Sequence, residues 1–211
     1  MVVEEFEKLP ILGILRGIKQ DIIEPLIQEV ISSGLKTIEI TMNTKDACEL
    51  ICKTINIAQG RLVVGAGTVL TMDSLRLALN AGASFIVTPV LVEDVLKYCV
   101  KNNIPCFPGA LTPLEIYNAW QRGAAMVKVF PAKFFGPAYF KEIKGPFNDV
   151  KLLACSGVTP ENIKDYFLNG ANAVSFGSSV FKKELLDKKD FKSIGENIKK
   201  YLPQLNNVSS I

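Results

Sequence analysis

The stretch MVKVFPAK, residues 126–133, threads a lysine through an apolar, β-rich run. Read as a strand, Met126–Phe130 alternates, with Val127 and Val129 on one face and Met126, Lys128 and Phe130 on the other. A β-branched pair suits a face packed against helices. Lys128 then points the other way, into whatever the strand helps to enclose. A buried ammonium is costly unless paired, and lysine is depleted from strands. Either Lys128 snorkels out at an edge, or its amine is wanted neutral and nucleophilic.

Working outward, short β-rich runs alternate with helical stretches along the whole chain. The candidate strands are Ile11–Arg16, Thr37–Met42, Arg61–Gly65, Phe85–Pro89, Pro105–Pro108, Met126–Phe130, Lys151–Cys155 and Ala173–Phe176. Between them lie helical segments such as DIIEPLIQEVISSG, TMDSLRLALNAG and TPLEIYNAWQRG, several opening on Thr or Asp and closing on Gly. TPLE and TPEN each place Thr at an N-cap with Pro at the first helical position. Eight strand–helix units predict a parallel α/β architecture closed into a (β/α)8 TIM barrel. No Pro/Gly/Ser-rich linker divides residues 1–211, so one compact domain is expected. An open doubly wound sheet is the competing reading, and no strand is followed by the G-x-G-x-x-G turn that would favour it.

The composition excludes several functional classes. The 211 residues are 48% apolar and 21% charged, with a formal net charge of +3. That charge is spread along the chain, leaving no nucleic-acid footprint. The N-terminus is acidic where a signal peptide would be basic, and no apolar run reaches membrane-spanning length. A cytoplasmic location is expected. The five cysteines read as isolated thiols. There is no histidine, which removes Ser-His and Cys-His catalysis, His-ligated zinc and an imidazole base together. Proton transfer falls to Asp, Glu, Lys, Tyr, Cys or water.

The same alternation in TIEIT sets Ile38 and Ile40 against Thr37, Glu39 and Thr41. Glu39 and Lys128 would then both face the barrel interior, either as an ion pair that fixes the fold or as an acid and an amine. Both lie in the C-terminal halves of their strands, the end where barrel active sites form, which favours chemistry. A free lysine is only about a thousandth neutral amine at pH 7. Lowering its pKa by about three units costs roughly 4 kcal/mol, a shift that burial and a nearby cation can supply. Arg16, ending the first strand, is the candidate cation, and its guanidinium could clamp a carboxylate. Lys133 is the rival nucleophile, but its place in the loop after Pro131 suggests a solvated side chain. The loops after strands seven and eight, CSGVTPEN and FGSSVF, carry glycines and small hydroxyls before helix N-termini, as phosphate loops do. GAGTV after strand three has glycines that let backbone approach a ligand, and Thr68 adds a hydroxyl.

With those residues located, the chain resembles the 2-keto-3-deoxy-6-phosphogluconate (KDPG) and 4-hydroxy-2-oxoglutarate (KHG) aldolases, including their 2-keto-3-deoxy-6-phosphogalactonate branch. The resemblance runs through LPILGILRG, IEITMNT, VGAGTVL, IVTPV, FPGALTPLEI, VKVFPAKFFGP, SGVTPENI and FGSSVF, nearly the whole chain in order. It implies a metal-independent class I lyase with no cofactor beyond its own lysine. Lys128 would form a Schiff base with pyruvate and Glu39 would act as acid and base. It further implies Arg16 and Thr68 at the substrate carboxylate, and Asn43, Pro89, Phe130 and Cys155 elsewhere along the substrate. Ser156, Gly157, Gly177 and Ser178 would hold the phosphate. The expected partners are a small phosphorylated keto acid and further copies of the chain as a homotrimer, without nucleic acid or membrane. Two departures stand out. Asn43 replaces the arginine of T-L-R-T, which with ILRG and FGPxYxK is similar to the galactonate branch. Ala154-Cys155-Ser156-Gly157 replaces P-T-G-G. A phosphate-binding isomerase or synthase barrel and a non-catalytic ligand-binding barrel are the other readings.

Overall fold

The computed structural model describes residues 2–205. Nine parallel strands form one sheet: β1 Ile11–Leu15, β2 Thr37–Thr41, β3 Val63–Gly67, β4 Ile86–Val87, β5 Cys106–Phe107, β6 Gly109–Ala110, β7 Val127–Val129, β8 Leu152–Cys155 and β9 Ala173–Phe176. The order β5-β4-β3-β2-β1-β9-β8-β7-β6 begins and ends on two pieces of one segment. The ring is therefore closed, with eight staves. The expected strand Pro105–Pro108 is corrected here: the fifth stave runs on to Ala110 and is split at Pro108. Proline has no N–H for a ladder, so the stave bonds to its two neighbours from different residues. Its Pro105 carbonyl accepts from Ile86 on one side, while its Pro108 and Ala110 carbonyls accept from Lys128 and Phe130 on the other.

The helices are α1 Val2–Lys8, α2 Ile23–Ser32, α3 Ala47–Ala58, α4 Met72–Asn80, α5 Glu93–Lys101, α6 Pro113–Gln121, α7 Gly136–Lys144, α8 Ile163–Leu168, α9 Lys183–Asp187 and α10 Phe191–Lys199. Thr112 caps α6 with Pro113 at its start, as TPLE predicts, in a reciprocal capping box with Glu115. TPEN behaves differently. The Asn162 side chain accepts from the Thr159 N–H and donates to the Gly157 carbonyl. These bonds hold residues 157–162 as a loop, and α8 starts only at Ile163.

The two faces of each strand lead to two cores. Ile38, Ile40, Val127, Val129, Leu152, Ala154 and Val174 pack outward against the helices. Phe6, Leu12, Phe85, Val87, Phe107, Met126, Leu153 and Ala173 pack together inside the ring. Phe6 comes from α1, a helix that sequence reading did not identify. Its ring lies 5.7 Å from that of Phe107, which in turn lies 5.6 Å from Phe85. Gly65 on β3 gives this layer its room, because a Cβ there would stand 2.4 Å from the Phe85 ring. The apolar plug fills the ring, and the buried polar side chains include Glu39 and Lys128 at the middles of β2 and β7, with Thr41 and Ser175 nearer the C-terminal ends of β2 and β9.

Candidate active site

Glu39 stands at the middle of β2, beside Ile14 of β1 and Gly65 of β3. Lys128 stands at the middle of β7, beside Gly109 and Leu153. Inward alternation from two staves brings them together: Nζ of Lys128 is 3.9 Å from Oε1 of Glu39, with side-chain exposures of 7% and 1%. Gly67 makes the pair possible, since a Cβ there would lie 2.3 Å from Oε1. The glycines of GAGTV thus make room for the Glu39 carboxylate and the Phe85 ring. The second carboxylate oxygen, Oε2, is buried and has no hydrogen-bond partner.

Burial pushes the Glu39 carboxyl above its ordinary range, against the pull of Lys128 and then Arg16. For Lys128, burial alone would favour the neutral amine and Arg16 adds to that. The charge of Glu39 and the Cys155 side chain outweigh both, and the amine is held above its ordinary value. The Glu39 charge thus works against the depressed lysine that the sequence suggests. Arg16 is too weak a repellent beside a carboxylate at contact distance. The pair sets a carboxylate made more basic by burial 3.9 Å from an amine whose proton its charge helps to hold.

Over the C-terminal ends of β1, β8 and β9 lies a cleft of ≈ 900 Å³. Arg16, Phe130, Cys155, Ser156, Gly157, Gly177 and Ser178 all line it. Lys128 lies behind its wall: Nζ is 5.6 Å from the centre of the Phe130 ring, and the Cys155 side chain is among the groups that act on its charge. Thr68 lies outside the cleft but accepts a bond from Nη2 of Arg16 at 3.3 Å. Arg16 makes no ion pair with a carboxylate among the described residues, so its guanidinium is available to an anion. Asn43 and Pro89 are not on the cleft wall. Asn43 is exposed, and the Pro89 carbonyl packs where a Gly109 side chain would go. Lys133 is exposed in the loop, its Nζ 5.0 Å from the Phe134 ring.

The loops of the seventh and eighth staves form the far end. Ser156 and Gly157 both have φ of 81°, a left-handed conformation that costs a non-glycine residue roughly 1–2 kcal/mol. A Cβ on Gly157 would lie 2.5 Å from Lys133. After β9 the Val180 and Phe181 amides turn back to the Gly177 carbonyl, with Ser178 and Ser179 at the tip. Neither loop runs straight into a helix, since α8 and α9 start further on, which corrects the expectation of helix N-termini at this site. Sequence reading also missed Lys19, Lys183 and Lys189 at the rim, where Lys189 pairs with Asp21 at 3.0 Å. It missed Thr44, a buried hydroxyl beside the first loop. Exposed lysines in loops or at a helix start give no periodic signal that would have singled them out.

All five cysteines are free, and no group of three His, Cys, Asp or Glu side chains among the described residues is placed to hold a metal ion. No helix among the described residues is long and apolar enough to cross a membrane.

The chain was then compared with known proteins. It is 32% identical to the 2-dehydro-3-deoxy-6-phosphogalactonate aldolase of Escherichia coli over 83% of this chain and 86% of that one. It is 31% identical to the 2-dehydro-3-deoxy-phosphogluconate aldolase of Haemophilus influenzae over 95% of each. Among solved structures, KDPG aldolase from Legionella pneumophila, with pyruvate captured at low pH as a covalent carbinolamine intermediate, superposes with a TM-score of 0.88. The two are 25% identical over 96% of this chain and 98% of that one. The family model for KDPG and KHG aldolase matches residues 2–197, and the chain belongs to that family.

Proposed function

We propose that this chain is a class I aldolase, with Lys128 as its Schiff-base lysine and Glu39 as its acid and base. It would cleave 2-keto-3-deoxy-6-phosphogluconate to pyruvate and glyceraldehyde 3-phosphate, and 4-hydroxy-2-oxoglutarate to pyruvate and glyoxylate. The observation that carries this reading is the buried Lys128–Glu39 pair, 3.9 Å apart behind the cleft wall. A relative of the same fold has been seen with pyruvate held covalently as a carbinolamine.

The geometry suggests how each proton moves. Glu39 takes a proton from the Lys128 ammonium, and the free amine attacks the C2 ketone to give a carbinolamine. Glu39 returns that proton to the departing hydroxyl, which leaves as water, and an iminium remains. The carboxylate then removes the C4 hydroxyl proton. The C3–C4 bond breaks, its electrons flow into the iminium, and the aldehyde departs from an enamine. Protonation at C3 by Glu39 and hydrolysis release pyruvate and restore the lysine. The iminium is the electron sink, so the proposed chemistry asks for no cofactor or metal. Arg16, braced by Thr68, would hold the carboxylate by charge-assisted bonds. Phe130 and Cys155 would flank the reacting carbons, and the turns at Ser156-Gly157 and Gly177-Ser178 would receive the phosphate.

A second reading is the galactonate epimer as preferred substrate. Asn43 favours it, because it leaves no arginine after Glu39, and so does the 32% identity to a phosphogalactonate aldolase. Homotrimeric assembly in the cytoplasm is part of the proposal. Exposed Leu70, Val90, Leu114, Phe134 and Phe135 follow staves β3, β4, β6 and β7, whereas the cleft opens over β1, β8 and β9. Apolar side chains collected on one side of a ring suit a subunit interface.

Incubation with pyruvate and borohydride should leave a reduced pyruvyl adduct on Lys128, absent in Lys128→Ala; an adduct on Lys133, or none, would refute the assignment. Glu39→Gln removes the charge that holds the Lys128 pKa up and leaves burial and Arg16, which both lower it. The pH midpoint of trapping should therefore move down, while cleavage falls by at least about 100-fold. An upward or absent shift would contradict the pairing. Steady-state rates on the two epimers decide between them, with the gluconate form expected to be faster. Sedimentation equilibrium should give three times the 23.1 kDa chain mass, and a monomer mass would remove the assembly.

A further inference from the structure

We propose that Thr44 is a positioning residue for Arg16, fixing through a backbone bond the place at which the guanidinium meets the substrate carboxylate. This rests on the reading of Arg16 as the carboxylate-binding group. The chain leaves β1 at Leu15, and Arg16 is the next residue, exposed and on the cleft wall. Among the described residues its side chain has one modest anchor, the 3.3 Å bond to Thr68, and no carboxylate ion pair. A long side chain held this way keeps much of its rotamer freedom unless the backbone beneath it is fixed.

The backbone is fixed at the following residue. Gly17 has φ of +64°, a left-handed bend just past the end of β1. A Cβ there would meet nothing within 4 Å, so glycine serves the turn rather than the packing. That N–H donates to Oγ1 of Thr44 at 3.0 Å. Oγ1 of Thr44 is also 3.0 Å from Oγ1 of Thr41, and the Thr44 N–H donates to the Thr41 carbonyl at 2.9 Å. Thr41 is the last residue of β2, two positions beyond Glu39 on the same inward face. Thr44 is 5% exposed, so its hydroxyl is shielded from competing water. A single buried hydroxyl therefore ties the exit of β1 to the exit of β2. Thr68, just past β3, ties the Arg16 side chain to the next stave. Arg16 is held at two points, both referred to the strands that carry and flank Glu39.

The test compares Thr44→Val, which keeps shape and loses the hydroxyl, with Thr44→Ser, which keeps it. Each is measured for kcat and KM on the phosphorylated keto acid, alone and in an Arg16→Ala background. Loss of one buried hydrogen bond predicts a rise in KM of about five- to tenfold in Thr44→Val. Its kcat should stay within about twofold, because the amine and carboxylate are untouched. Thr44→Ser should match the parent. In the Arg16→Ala background, where KM is already raised, Thr44→Val should add nothing further. If Thr44→Val does not fold, Thr44→Ala against Thr44→Ser makes the same comparison. Equal KM in the Val and Ser variants, or a full further rise without Arg16, would overturn the positioning role while leaving Arg16 in place. An unchanged KM in Arg16→Ala would instead remove the carboxylate reading itself.

Discussion

The site depends on two opposite charges taken out of water and set 3.9 Å apart inside a closed ring of strands. Such a pair is poor evidence for stability, because desolvating both ions offsets most of their attraction. Here one carboxylate oxygen also stays unpaired. The fold accommodates it where the strand alternation turns both groups inward and where Gly67 leaves space for the carboxylate. An arrangement that gains so little in stability and constrains a neighbouring residue to glycine is better explained by chemistry than by architecture.

The barrel divides its interior accordingly. Phe6, Phe85, Phe107 and Met126 fill it with apolar volume, and the charged pair sits at the middles of β2 and β7. The plug keeps water away from the pair from beneath, while Phe130 and Cys155 separate it from the cleft above. Under the proposed function, substrate would reach the amine from the cleft side, past Arg16 and the loops of the last two staves.

Much of this was legible in the amino-acid order, because strand alternation has a fixed period of two. TIEIT and MVKVF alone place Glu39 and Lys128 on inward faces, and the repeat of strand and helix implies the ring. What was not legible depended on contacts between distant residues. The split at Pro108 shows only when the neighbours of the fifth stave are known. The N-terminal helix matters through Phe6, whose partner Phe107 is 101 positions away. Gly65 and Gly67 read as ligand-approach glycines until Phe85 and Glu39 are seen against them. The balance of charge at Lys128 has the same cause: burial and Arg16 can be read from the chain, but the 3.9 Å separation from Glu39 cannot.

The most direct measurement is an NMR titration of the Lys128 side-chain nitrogen in 15N-lysine-labelled protein, assigned with Lys128→Ala. In the free protein the resonance should be that of an ammonium throughout the neutral range, changing to an imine nitrogen when pyruvate is added. A neutral amine at pH 7 in the free protein, or an ammonium unchanged by saturating pyruvate, would contradict the account.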